Sequence, residues 1–151
     1  MDRKTLRDTF ERFSTEEGFS IQPYRYAEPR FEKFEELHIF LQKQPHYLVE
    51  DLMGKMFGKH TPHFFVEIRS SDDHLFYFKS ESVAALDWWE LMFGTPVCIF
   101  FLSRNGLFEP LLIPLEDVKQ VLKSVGDSSN ISMFNITLYD ELKKTHRGVR
   151  E

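Results

Sequence analysis

Residues 63–103, HFFVEIRSSDDHLFYFKSESVAALDWWELMFGTPVCIFFLS, restrict the folds open to this chain more than any other stretch. Two apolar runs rich in aromatic and β-branched residues flank a polar turn, the pattern of two strands joined by a turn. An amphipathic run containing Trp88 and Trp89 follows, and then an almost wholly apolar run. The stretch reads as strand, turn, strand, helix, strand.

Alternation assigns faces. Phe64, Val66 and Ile68 share one side of the first strand, and Phe65, Glu67 and Arg69 the other. In the second strand Phe76 and Phe78 oppose Leu75, Tyr77 and Lys79. A hairpin turning at Ser71-Asp72-Asp73 would pair Glu67 with Tyr77 and Phe65 with Lys79, because paired residues share a face. Glu67, Arg69, Tyr77 and Lys79 would then gather on one side. Such a cluster is a surface salt bridge in its simplest form. In a sharper form, a carboxylate on one strand and a lysine on the next hold a divalent cation and orient a water.

The flanking sequence supplies helices and further strands. Residues 3–17 have helical spacing through Leu6, Phe10 and Phe13, with Asp2 as cap and Gly18 as stop. Residues 19–26 are extended, and Pro23 restricts them to an edge strand or packed loop. Pro29 opens a helix with Phe31, Phe34, Leu37 and Leu41 on one stripe. Pro45 opens a further short helix, with Leu48, Leu52, Met53 and Met56 inward and Gly58 at its end. Beyond the opening stretch, Arg104-Asn105-Gly106 is a turn. Residues 107–113 read as a strand, 114–125 as a helix, 126–130 as a loop and 131–139 as a last strand.

The expected fold is α/β (α+β): a single three-layer domain with a central mixed sheet of about four to five strands flanked by helices. Residues 1–62 form a mainly helical N-terminal extension, 63–139 a strand-rich core, and 140–151 a frayed basic tail. A length of 151 residues suits one domain. Sixteen phenylalanines imply that several faces pack on a common core. The net charge of −5 argues against a general polyanion binder but leaves room for a local basic patch. A single cysteine, Cys98, excludes an internal disulfide and suits a reducing compartment. MDRKTLRDTF carries no apolar leader segment, and no apolar run approaches the roughly 20 residues that cross a bilayer. The cytoplasm is the expected location, with no membrane partner.

The order of elements, with Glu67, Phe78-Lys79-Ser80, Leu86-Asp87-Trp88-Trp89 and Thr95-Pro96-Val97-Cys98-Ile99-Phe100, resembles the core of the PD-(D/E)XK, or restriction-endonuclease-like, superfamily over roughly residues 63–125. The resemblance implies that Glu67 is the metal-binding acid of the second core strand and Lys79 the motif lysine, with Mg²⁺ as cofactor. The family's acid two residues before the lysine is Tyr77 in this sequence, and a phenol supplies neither its charge nor its ligand. Glu90 or Glu81 of the following helix would have to complete the metal site with Glu67, and Glu50 and Asp51 are further acids. A second alignment takes Glu67-Ile68-Arg69 as the triplet, with arginine for lysine and an acid from the Glu50-Asp51 region.

Three functions follow. The first is a catalytically degenerate restriction-endonuclease-like domain that binds nucleic acid or a protein partner. The second is an active Mg²⁺-dependent nuclease using Glu67, Lys79 and Glu90. The third is a small acidic interaction or immunity-type protein unrelated to nucleases. Partner-contact candidates are Trp88 and the tail cations Lys143, Lys144 and Arg147. His60 and His63 are close in sequence but lack further ligands at metal-site spacing.

Overall fold

The structure is a computed structural model that describes residues 2–23, 45–126 and 128–139, apart from the side chains of 23, 128 and 129. Strand β3 (His63–Ser71) runs through its centre. On one side β3 pairs antiparallel with β2 (Tyr47–Glu50), which pairs antiparallel with β1 (Ser20–Pro23). On the other side β3 pairs parallel with β5 (Val97–Ser103), which pairs antiparallel with β6 (Leu111–Pro114). The result is a five-stranded mixed sheet of order β1-β2-β3-β5-β6. A smaller sheet of order β4-β8-β7 comprises β4 (Leu75–Lys79), β8 (Ser128–Asn135) and β7 (Lys123–Val125).

Each face of the large sheet carries its own core. Helix α1 (Arg3–Glu17) covers one face, where Phe10 meets Tyr47 and Phe100 at ring separations of 4.9 Å each. The Asp2 side chain accepts the Thr5 N–H, and Gly18 ends α1 in the left-handed conformation that its sequence predicts. The other face holds helix α2 (Ser80–Phe93), helix α3 (Leu115–Val121) and the inner face of the small sheet, packed around Phe65, Trp89, Phe101 and Phe134. This two-sided covering explains why Val97 to Leu102 are all buried: a strand with neighbours on both edges and layers on both faces has no wet side.

Several expectations need correction. Strands β3 and β4 do not form a hairpin ladder. The turn at Ser71–Asp73 forms, with the Asp73 carboxylate accepting the Ser71 hydroxyl and the Leu75 N–H. Yet β2 and β5 already occupy both edges of β3, so the chain leaves the first sheet and β4 pairs with β8. The expected pairings of Glu67 with Tyr77 and Phe65 with Lys79 are therefore absent. Residues 45–58 hold strand β2 and a loop in place of a helix, and Leu52 and Met53 are each 69% exposed. Asp51 organises that loop from a buried position, its two oxygens accepting the N–H groups of Lys55 and Met56.

The expected strand at 107–113 begins only at Leu111, because Ser103 Oγ accepts the Leu107 N–H and extends the turn. The expected helix at 114–125 ends at Val121, and β7 follows. Strand β8 starts at Ser128 and stops at Asn135, whose side chain accepts the N–H groups of Thr137 and Leu138 and opens a helical turn. The helix expected after Pro29 lies outside the described residues.

Candidate functional site around Glu67

The Glu67 carboxylate sits midway along β3 on the face that carries Phe65, and its side chain is 13% exposed. Its partner is Arg69, two residues along the same strand, with Nε 3.3 Å from Oε2. The Arg69 guanidinium lies over the ring of Phe78 on β4, 4.9 Å from the centroid. Arg69 thus spans the gap between the two sheets, its cation on an aromatic face and its Nε–H against a carboxylate.

His46, just before β2, clasps the same point. Its backbone N–H donates to the Val66 carbonyl, and its Nδ1 accepts the Ile68 N–H at 3.0 Å. The imidazole continues the ladder past the end of β2, and the two bonds bracket Glu67. Accepting at Nδ1 assigns the neutral ring's proton to Nε2. Burial holds the His46 pKa below its ordinary value; Glu67 opposes that shift, and the charges of Arg7, Arg69 and Arg3 add to it.

Arg3 and Arg7 bear on His46 from α1, the helix on the sheet face opposite Glu67. Positions 3, 7 and 10 share one stripe, and Phe10 packs on Tyr47, the residue next to His46. Asp8 and Glu11 lie towards the Tyr47 hydroxyl, which donates to Glu11 Oε1 at 3.4 Å. Among the described residues, neither Arg3 nor Arg7 has a carboxylate within salt-bridge distance.

The residues singled out in the sequence fall elsewhere or take other bonds. Lys79 is exposed, on the side of β4 opposite Phe76 and Phe78, while Arg69 meets the Phe78 side. The expected gathering of Glu67, Arg69, Tyr77 and Lys79 therefore reduces to the Glu67–Arg69 pair. Glu90 of α2 accepts the Val97 N–H at 2.8 Å, fastening the helix to the start of β5. Burial raises its pKa, with nearby Asp87 adding to the effect and the Val97 N–H opposing it. Glu81 is exposed in the first turn of α2. Glu50 lies 3.5 Å from His63, and Asp51 is committed to its loop. Trp88 is half-buried edge-on against the fully buried Trp89, with ring centroids 5.4 Å apart. Cys98 is buried, which pushes its thiol pKa well up. Lys143, Lys144 and Arg147 lie outside the described residues.

Sequence reasoning missed His46, Arg3 and Arg7. The alternation of Tyr47 to Glu50 was the signal for a strand starting beside His46; Pro45 suggested a helix start instead. Arg3 and Arg7 were visible only as one stripe with Phe10.

Among the described residues, the donor set at Glu67 does not suit Mg²⁺, which takes oxygen ligands. Glu67 is the carboxylate at this point and its Oε2 faces a guanidinium, while the lone pair of neutral His46 is spent on Ile68. Among the described residues no group of three or more His, Cys, Asp and Glu side chains is arranged to hold a metal ion.

No family model and no curated protein sequence matches this chain. Among solved structures it is similar to Hjc, a Holliday junction resolvase from the archaeal hyperthermophile Archaeoglobus fulgidus. The match has a TM-score of 0.59 at 10% identity and covers 91% of this chain and 87% of the resolvase. The chain thus has a restriction-endonuclease-like fold, a mixed sheet flanked by helices. No helix among the described residues is long and apolar enough to cross a membrane.

Proposed function

We propose that this chain is a restriction-endonuclease-like domain that binds nucleic acid and does not hydrolyse it. The observation that carries the reading is the state of Glu67, a strand carboxylate held by Arg69 where a metal-dependent nuclease needs free oxygen ligands. The superfamily's name spells its motif, Pro-Asp followed by Asp/Glu-x-Lys. The arrangement of β2 and β3 favours Pro45-His46 and Glu67-Ile68-Arg69 as its counterparts, since His46 bonds to both residues flanking Glu67. On that correspondence histidine replaces the aspartate and arginine the lysine. Arginine stays protonated, so it is a poor proton donor or acceptor, but its planar fork suits phosphate oxygens.

The nucleic-acid half of the reading draws support from the similarity to a junction resolvase and from the three arginines whose charges bear on His46. The test is incubation with Mg²⁺ or Mn²⁺ and plasmid, single-stranded and four-way-junction DNA, beside Glu67→Ala and Lys79→Ala variants. No cleavage above background is expected. Cleavage lost in either variant would overturn the reading.

One observation favours a second reading, a protein interface. Helix α2 is apolar on its outer side as well, with Leu91 86% and Met92 51% exposed. A pull-down lost on Leu91→Glu but retained on Arg7→Gln would shift the function there.

A further inference from the structure

The outer face of the small sheet is wet, yet it is not the polar face that an open antiparallel sheet usually presents. Phe76, Phe78 and Phe134 are buried on the inner face. The strand register fixes what points outward. Tyr77 pairs with Met133, and Met133 with Lys123, so these three side chains form one row across β4, β8 and β7. Lys79 pairs with Ile131 in the next row. Tyr77 is 53% exposed, and Lys79, Lys123 and Ile131 are exposed beside it. An aromatic ring on a partly apolar bed is therefore flanked on two sides by cations. Lys79 lies roughly 7 Å from Tyr77 along β4, and Lys123 roughly 10 Å away across two strands, backbone to backbone.

The charge on this face is one-sided. The chain has 24 acids and a net charge of −5, yet β4, β7 and β8 contain no aspartate or glutamate. Among the described residues neither Lys79 nor Lys123 has a carboxylate within salt-bridge distance, the Glu81 that follows Lys79 in α2 included. Asp72 and Asp73, at the turn before β4, are engaged by Arg104 and by Ser71 and the Leu75 N–H.

We propose that this face is a platform for single-stranded nucleic acid, with a base stacked on Tyr77 and neighbouring phosphates held by Lys79 and Lys123. The platform rests on the reading above that this domain binds nucleic acid, and it adds which surface and which form of the ligand. Every base has a flat face to lay on a phenol ring, and lysines meet phosphates as point charges, so the contact tolerates any sequence. A duplex keeps its bases stacked on one another and cannot use Tyr77. The face is also independent of Glu67, because Tyr77 and Lys79 point away from the side of β4 that Arg69 meets.

The experiment measures binding of fluorescent single-stranded and duplex oligonucleotides in EDTA across a series of salt concentrations. The wild type is compared with Tyr77→Ala, Tyr77→Phe, Lys79→Gln and Lys123→Gln. Lys4→Gln is the control, on α1 beyond the opposite face of the large sheet. All are exposed positions, and matched thermal transitions confirm that each variant is folded.

Tyr77→Ala should weaken single-strand binding roughly tenfold, and Tyr77→Phe should retain it. Lys79→Gln and Lys123→Gln should each lower the salt slope by about 0.7, and Lys4→Gln should change neither quantity. Single strands should bind more tightly than duplex and shift the Tyr77 ring resonances. Binding that is intact in Tyr77→Ala and in both lysine variants, or that favours duplex, overturns the platform while leaving nucleic-acid binding standing. Self-association that Tyr77→Ala abolishes, with oligonucleotide affinity unchanged, assigns the face to a second copy of the chain and also overturns it. No binding of any oligonucleotide by the wild type overturns both.

Discussion

Glu67 and Arg69 stand two residues apart on one face of β3, and the Arg69 Nε donates to Glu67 Oε2 across 3.3 Å. The pair is mostly covered, at 13% and 31% exposure, and its cation also rests on Phe78 of the second sheet. A covered, aromatic-backed pair should couple more strongly than an exposed one. A double-mutant cycle of Glu67→Gln and Arg69→Gln in chemical denaturation should give a coupling energy of about 0.5–3 kcal/mol. Additive effects would mean that the two side chains act independently.

His46 should titrate below the usual histidine range. Its folded pKa is depressed, so the unfolded chain binds more protons between the two values, and stability rises with pH across that window. Stability should therefore fall as pH drops through about 6.5, the unfolded value, until the folded-state ring is itself protonated. Protonation also removes the acceptor for the Ile68 N–H. A ¹H–¹⁵N titration of the ring measures this directly. A His46 pKa at or above that of an unfolded reference peptide would contradict it.

Glu90 carries the opposite sign. Its folded pKa is raised, so the folded state holds the proton longer, and ionisation costs stability as pH rises from the unfolded value through the folded one. Glu90→Gln keeps an acceptor for the Val97 N–H and should remove that loss. Glu90→Ala leaves the Val97 N–H without this acceptor and should cost about 1–3 kcal/mol. Equal melting temperatures for the two variants near neutral pH would refute this role for Glu90.

Two glycines separate backbone strain from collision. Gly18 and Gly54 both have positive φ, +79° and +66°. A Cβ at Gly18 meets nothing within 4 Å, whereas one at Gly54 would lie 2.5 Å from backbone atoms of Gly58 and Lys59. Gly18→Ala should cost about 1–2 kcal/mol, the left-handed penalty alone. Gly54→Ala should cost clearly more and disturb the loop that Asp51 holds. Equal losses in urea denaturation would contradict the tight approach at Gly54.

The elements legible in the sequence were those whose local signals agree with their tertiary surroundings. Helix α1 has cap, stripe and stop in register, and β5 is apolar enough to be buried on both faces whatever surrounds it. Face alternation was also legible: Phe76 and Phe78 point inward, and Tyr77 and Lys79 outward. The partner of β4 was not, because a turn specifies proximity and leaves open which strand edges are taken. Only the arrival of β5, after a helix and from distant sequence, occupies the edge of β3 that a hairpin would use. The candidate site was half legible for the same reason. Glu67 and Arg69 are neighbours in sequence, whereas His46 meets β3 only once β2 has paired, and the charges of Arg3 and Arg7 bear on it only once α1 has packed.

The central claim is that the centre at Glu67 holds cations of the protein itself and no metal. Titration with Mn²⁺, followed through paramagnetic broadening of backbone amide resonances, tests it directly. The amides of Glu67, Ile68 and Arg69 should broaden no more than those of exposed acids such as Asp72. Selective broadening of those three amides at low Mn²⁺, reversed by Mg²⁺, would identify a metal site and contradict the account.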